Sequence, residues 1–85
     1  MDAFAKRFVY ILESIKDPQR HYVGLTSDVV GRVAAHNNGA APHTSTHRPW
    51  KLNVCLEFAG ETLAAKFERY LKTGSGRAFT KRHFG

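Results

Sequence analysis

The sequence predicts an α+β fold: a small three-stranded antiparallel sheet flanked by helices, in the order β-β-α-β-α with a short C-terminal helix or turn. Three patterns predict it. Two runs rich in β-branched and aromatic residues stand on either side of a polar connection, the run from Lys51 to Phe58 alternates, and the run from Glu61 to Lys72 repeats at helical spacing. The 85 residues are sized for one domain, 1–85, with its core over 8–72 and a basic segment over 73–85. A core this small hides no large cavity, so any site is expected to be shallow.

Phe8 to Glu13 and His21 to Leu25 read as the arms of a β-hairpin around Asp17-Pro18. Thr26, Ser27 and Asp28 offer capping side chains ahead of Val29, Val30, Val33 and Ala34, a helical stripe that ends near Asn38-Gly39. Gly39 to Pro49 is small and polar with two prolines, which predicts an irregular surface loop anchored by Trp50. Leu52, Val54, Leu56 and Phe58 fall on one side of a third strand. Leu63, Ala64, Phe67, Tyr70 and Leu71 share one face of an amphipathic helix. Gly74-Ser75-Gly76 breaks that helix, and Arg77 to Phe84 is expected to tuck Phe79 and Phe84 against the body.

Thirteen Lys and Arg against seven Asp and Glu leave a net charge of +6, the footprint of a domain that meets a polyanion, with nucleic acid foremost. Six of those cations, Lys66, Arg69, Lys72, Arg77, Lys81 and Arg82, crowd the last twenty residues as a track for a phosphate backbone or as a solvated basic face. Cys55 is the single cysteine, which excludes an internal disulfide and a paired-cysteine zinc site and fits a reducing cytoplasm. Inside a strand it reads as a small buried hydrophobe. The longest apolar run, Phe8 to Leu12, is far short of the roughly 20 residues of a membrane span, and no export signal is expected.

Tyr10 and Tyr22 stand in the two hairpin arms, where cross-strand pairing brings them onto one face, although either alone is an ordinary strand residue. Arg32 and His36 are one helical turn apart and point to the same side, the guanidinium offering its fork of donors to a phosphate or to a surface carboxylate. Glu68 stands at the rim of the second amphipathic helix, as a site carboxylate or an ion-paired surface one. No carboxylate cluster supports a two-metal centre. His43 and His47 are four apart, but Pro42 and Pro49 oppose the helix that would align them on zinc. Together with Thr44 and Arg48 they are candidates for phosphate contact, in a loop long enough to be functional.

Val9-Tyr10, then Tyr22-Val23-Gly24 with Leu25 to Asp28, then Arg32, His36, Asn37, Gly39, Pro49-Trp50 and Ala64 to Lys72 around Glu68, resemble the GIY-YIG nuclease superfamily. The similarity spans about Phe8 to Lys72. It is strongest to compact bacterial proteins related to the GIY-YIG nuclease domain of the excision-repair excinuclease. Phe8 replaces the usual first glycine, Leu25 stands where some repair nucleases carry lysine, and no asparagine follows Asn53.

The resemblance implies a DNA endonuclease that uses one Mg²⁺ or Mn²⁺, with DNA repair or recombination as its setting. Tyr10 and Tyr22 would be the motif tyrosines, Arg32 the group facing the scissile phosphate, His36 a phosphate contact or proton relay, and Glu68 the metal ligand. Gly24 would stay small so that substrate approaches the sheet. One phenol would take a proton from the attacking water, and which one stays open. A free phenol, with a pKa near 10, is ionised in only about one molecule in 10³ at pH 7, so a neighbouring cation has work to do. DNA is the expected partner, with RNA as the alternative and another protein supplying specificity. A nucleic-acid-binding module that keeps the fold without hydrolysis is the competing reading.

Overall fold

A computed structural model describes residues 7–85. The first six residues of the expected domain, Asp2 among them, lie outside the described residues. β1 (Phe8–Ser14) is the middle strand, flanked by β2 (His21–Thr26) and β3 (Trp50–Glu57) in the order β2-β1-β3, with both pairings antiparallel. Val9, Tyr10, Ile11 and Leu12 are all fully buried, because helices cover both faces of this strand. That double cover is why β1 reads as a continuous apolar run rather than an alternating one.

Register fixes which side chains share a face. Tyr10 lies opposite Gly24 and Leu12 opposite Tyr22, so the two tyrosines are diagonal neighbours on the same side of the sheet. The pairing of β1 with β3 shifts between Ile11 and Leu12: Ile11 faces Val54, but Leu12 faces Leu52, and Asn53 is the extra residue. A one-residue insertion turns the strand over. Trp50 therefore joins Tyr10 and Leu12, whereas Val54 packs with Val9 and Ile11 on the other side. This corrects the expectation that Leu52, Val54, Leu56 and Phe58 share one side. Cys55, paired with Tyr10 on the outer strand, is exposed rather than buried.

α1 (Val29–Asn37) covers the tyrosine side through Val29 and Val33, and Asp28 caps it by accepting from the Gly31 amide. Its inward stripe is Val29, Val33 and His36. Val30, expected inside, is 82% exposed. α2 (Glu61–Leu71) covers the opposite side with Ala64, Phe67 and Leu71. α3 (Gly74–His83) starts within the glycines that end α2, capped by the Thr73 hydroxyl, and sends Phe79 and Phe84 onto the same core. Gly76 makes that corner possible, since a Cβ there would lie 1.9 Å from the Tyr70 carbonyl oxygen.

The segment between α1 and β3 is irregular apart from a 3₁₀ turn at Ser45–His47, and it is held from several directions. The Trp50 indole N–H donates to the Thr44 carbonyl at 2.8 Å, and the Asn37 amide bridges the N–H and C=O of Trp50 at 2.6 and 2.9 Å. The Ser14 hydroxyl donates to the His47 carbonyl at 2.6 Å. Trp50 anchors this loop, as expected. Among the described residues no helix is long and apolar enough to cross a membrane.

Candidate active site

Four of the expected groups, Tyr10, Tyr22, Arg32 and His36, meet on the tyrosine side. The Tyr10 hydroxyl lies 2.9 Å from Nε2 of His36, and Arg32, one turn earlier on α1, acts electrostatically on the same phenol. The Tyr22 ring stands 6.2 Å from that of Tyr10 and 4.7 Å from that of His36, between centroids. β1 and β2 place the phenols, and one turn of α1 places the imidazole and the guanidinium against them. Arg32 itself is exposed and borders a shallow cavity of about 310 Å³, which it lines with Leu25, Thr26 and Ser27. A second cleft of about 340 Å³ lies between α2 and α3, lined by Tyr70, Phe79, Arg82 and His83. The cavity beside Arg32 is the candidate site, because the Arg32 that lines it also acts electrostatically on both Tyr10 and His36.

Burial shapes the chemistry of each group. Tyr10 is held above the ordinary phenol value by burial, opposed by the hydrogen bond from Arg32. His36 is held below the ordinary imidazole value, first by burial and then by the Arg32 charge. The ground state is thus a neutral phenol against a neutral imidazole. His36 has no exposed surface, and its two ring nitrogens lie against the Tyr10 and Thr44 hydroxyls rather than facing the cavity.

Gly24 is small for a reason other than the expected one. A Cβ there would lie 2.3 Å from Cζ and 2.4 Å from the hydroxyl oxygen of Tyr10. The Tyr10 ring lies across Gly24, so the space is taken by the protein's own phenol rather than left for substrate.

Glu68 is carried by α2. α2 packs on the opposite side of the sheet, and the Glu68 carboxylate, 14% exposed, is paired with the ammonium of Lys72 one turn on. The Lys72 charge is also the weakest of the influences that oppose the upward push of burial on Tyr10. The sequence pattern placed Lys72 on a backbone track; the Glu68-to-Lys72 spacing of four was the signal for this pair. Among the described residues no three of His, Cys, Asp and Glu gather as a metal centre. The donor set still suits a hard divalent ion: one carboxylate already holding a cation, completed by water and substrate phosphate.

The loop candidates divide. Thr44 is only 2% exposed and bonds to His36, which corrects its assignment as a phosphate contact. His47 is half-buried with its ring edge-on to Trp50, whereas His43 and Arg48 are exposed, the Arg48 guanidinium lying against Gly39. Lys66, Arg69, Arg77 and Lys81 are exposed on α2 and α3, and Arg82 lines the second cleft, so these five are not drawn into the tyrosine site. Asn37 carries part of the sequence resemblance, but its role in tying the loop to β3 does not show in the sequence, because nothing in its spacing marks a bridge across 13 residues.

The buried phenol–imidazole pair thus lies beside an exposed guanidinium at the rim of a shallow cavity. The sequence model described as the GIY-YIG catalytic domain matches residues 6–82, and the chain belongs to that family. It is 39% identical over 72 residues to UPF0213 protein SH2523 of Staphylococcus haemolyticus, covering 84% of this chain and 85% of that one. It is 38% identical over 65 residues to the structure-specific endonuclease subunit slx1 of Talaromyces marneffei, covering 69% of this chain and 17% of the relative. With the structure-specific endonuclease subunit SLX1 of Candida dubliniensis it shares 37% over 82 residues, covering 88% and 27%. The chain thus spans well under a third of these two longer relatives.

Proposed function

We propose that this domain is an endonuclease that hydrolyses a DNA phosphodiester bond with Tyr10 as general base and Arg32 on the scissile phosphate. The observation that carries the reading is the fully buried Tyr10–His36 pair beneath an exposed Arg32 at the edge of a cavity. Arg32 has donors only, so the Tyr10 proton is directed to Nε2 of His36. When the attacking water gives its proton to the Tyr10 oxygen, the phenol passes its own proton to His36. A phenol that starts neutral can then act as a base near pH 7 without first becoming a free phenolate.

Tyr10 has no exposed surface under Arg32, so substrate must move the guanidinium. A phosphate in the adjoining cavity attracts it with two charge-assisted hydrogen bonds, uncovering the phenol and bringing positive charge to the oxygens where negative charge grows. Tyr22 walls the imidazole and holds the Tyr10 ring in place. Glu68 would hold one Mg²⁺ or Mn²⁺, which when bound supplies further charge neutralisation at the phosphate. The exposed side chains of His43, Arg48 and Arg69 extend the anion-attracting surface. The longer relatives are named as structure-specific endonuclease subunits, which supports a structured substrate and a partner subunit that supplies specificity; DNA as that substrate, with repair or recombination as the setting, belongs to this proposal.

A specific observation favours the competing binding-module reading: the base is covered and the carboxylate is paired with Lys72. Nicking of supercoiled plasmid with Mg²⁺ or Mn²⁺ decides between them. The nuclease reading expects wild type to nick, Arg32→Ala to lose about 10²–10³-fold, and Glu68→Gln to lose its metal dependence. DNA binding that weakens with salt, without nicking, establishes the module instead. Parallel RNA substrates test the alternative partner.

A further inference from the structure

Behind His36 the hydrogen bonds continue. Nδ1 of His36 lies 2.7 Å from the Thr44 hydroxyl, and that hydroxyl lies 3.2 Å from the carbonyl oxygen of Ala41. A neutral imidazole has one donor and one acceptor, so this run of three bonds has only two consistent directions. Both ends select the same one. At the inner end the Ala41 carbonyl only accepts, so the Thr44 hydroxyl donates to it and must accept from Nδ1–H. At the outer end Nε2 of His36 is the one hydrogen-bond partner of the buried Tyr10 hydroxyl among the described residues, so the Tyr10 proton has an acceptor only if Nε2 is bare. In the reverse direction Nε2–H would donate to the Tyr10 oxygen while the phenol's own proton lacked an acceptor in a buried site, a costly arrangement.

We infer that Thr44 is a positioning residue that fixes His36 as the Nδ1–H tautomer and so leaves Nε2 open to the Tyr10 proton. This rests on the nuclease reading for its kinetic consequence but not for its tautomer. The groups facing His36 are Tyr10 from β1, Tyr22 from β2, Arg32 from its own helix and Thr44 from the loop. None is a carboxylate that would favour imidazolium, so the neutral tautomer is what the surroundings select. The 3₁₀ turn and the Trp50 indole, which holds the Thr44 carbonyl, keep the hydroxyl in place.

The test is long-range ¹H–¹⁵N correlation of the full-length protein at pH 7.5, alongside single-turnover nicking. Wild type is expected to show His36 protonated at Nδ1 and bare at Nε2. Thr44→Val keeps the shape but removes the acceptor; it is expected to shift the ring toward Nε2–H and slow nicking about 10²-fold, with the half-saturating DNA concentration unchanged. Thr44→Ser is expected to restore both. An Nε2–H tautomer in wild type, an unchanged tautomer in Thr44→Val, or failure of Thr44→Ser to rescue overturns the inference. So does wild-type nicking by a Thr44→Val protein whose tautomer has inverted. Should Thr44→Val not fold, the wild-type and Thr44→Ser spectra decide, and Nε2–H in either overturns it. Should wild type not nick at all, the nuclease reading fails while the spectra still decide the tautomer.

Discussion

The two sides of the sheet are built from different materials. On one, Val9, Ile11, Ala64 and Leu71 pack with Phe58, Phe67, Phe79 and Phe84, and cohesion comes from apolar area alone. On the other, Tyr10, Trp50, His36, Thr44 and Ser14 are equally buried, but each commits its polar atoms to a named partner. A buried polar group left without its partner is expensive, so the second side tolerates few alternative arrangements. The first side provides stability with interchangeable parts; the second fixes the direction of hydrogen bonds, which is what proton transfer requires.

The contrast breaks most visibly if the apolar side fails to behave as bulk. Leu71→Ala is expected to cost about 2–5 kcal/mol in urea unfolding, while any protein remaining folded nicks DNA at the wild-type rate. A specific loss of rate in that folded fraction would mean the two sides are not separable.

A smaller effect separates packing from chemistry on the polar side. Gly24→Ala pushes a methyl group into the Tyr10 ring, with an expected cost of about 1–3 kcal/mol from overpacking. Its nicking rate should fall by more than its stability loss accounts for, since the phenol is displaced from Nε2 of His36. Equal behaviour of Gly24→Ala and wild type in single-turnover nicking would show that the ring position does not matter.

The smallest expected effect is on pH dependence. His36 binds its proton less readily in the native state than the ordinary histidine near 6.5, because of burial and then Arg32. The unfolded chain therefore takes up that proton first as pH falls. The contribution is fully present above about pH 6.5 and is lost as pH falls through the depressed native value, with a slope of at most about 1.4 kcal/mol per pH unit. Urea midpoints measured from pH 7.5 to 5 check this, and His36→Gln should remove that part of the slope.

The two sides also differed in how far the sequence disclosed them. Leu63 to Leu71 announced the helix, and the hairpin and its turn were visible in the β-branched runs, but of the expected helix face only Ala64, Phe67 and Leu71 turn inward while Leu63 and Tyr70 are exposed. Periodicity misled at Asn53, where one extra residue sends Trp50 and Val54 to opposite sides. It misled again at Val30 and His36, since a polar ring took the inward position that a valine was expected to hold. Tyr10, Tyr22, Arg32 and His36 were legible as candidates through motif spacing. The roles of Thr44 and Gly24 were not, because they depend on contacts between elements: an eight-residue reach to an imidazole and a ring lying over a backbone.

Single-turnover nicking by Tyr10→Phe and Tyr22→Phe, with DNA affinity measured in parallel, tests the assignment of the base most directly. Tyr10→Phe should lose about 10²–10⁴-fold in rate with affinity unchanged, and Tyr22→Phe should lose much less. Tyr10→Phe nicking at the wild-type rate, or Tyr22→Phe as the inactive variant, would contradict the account.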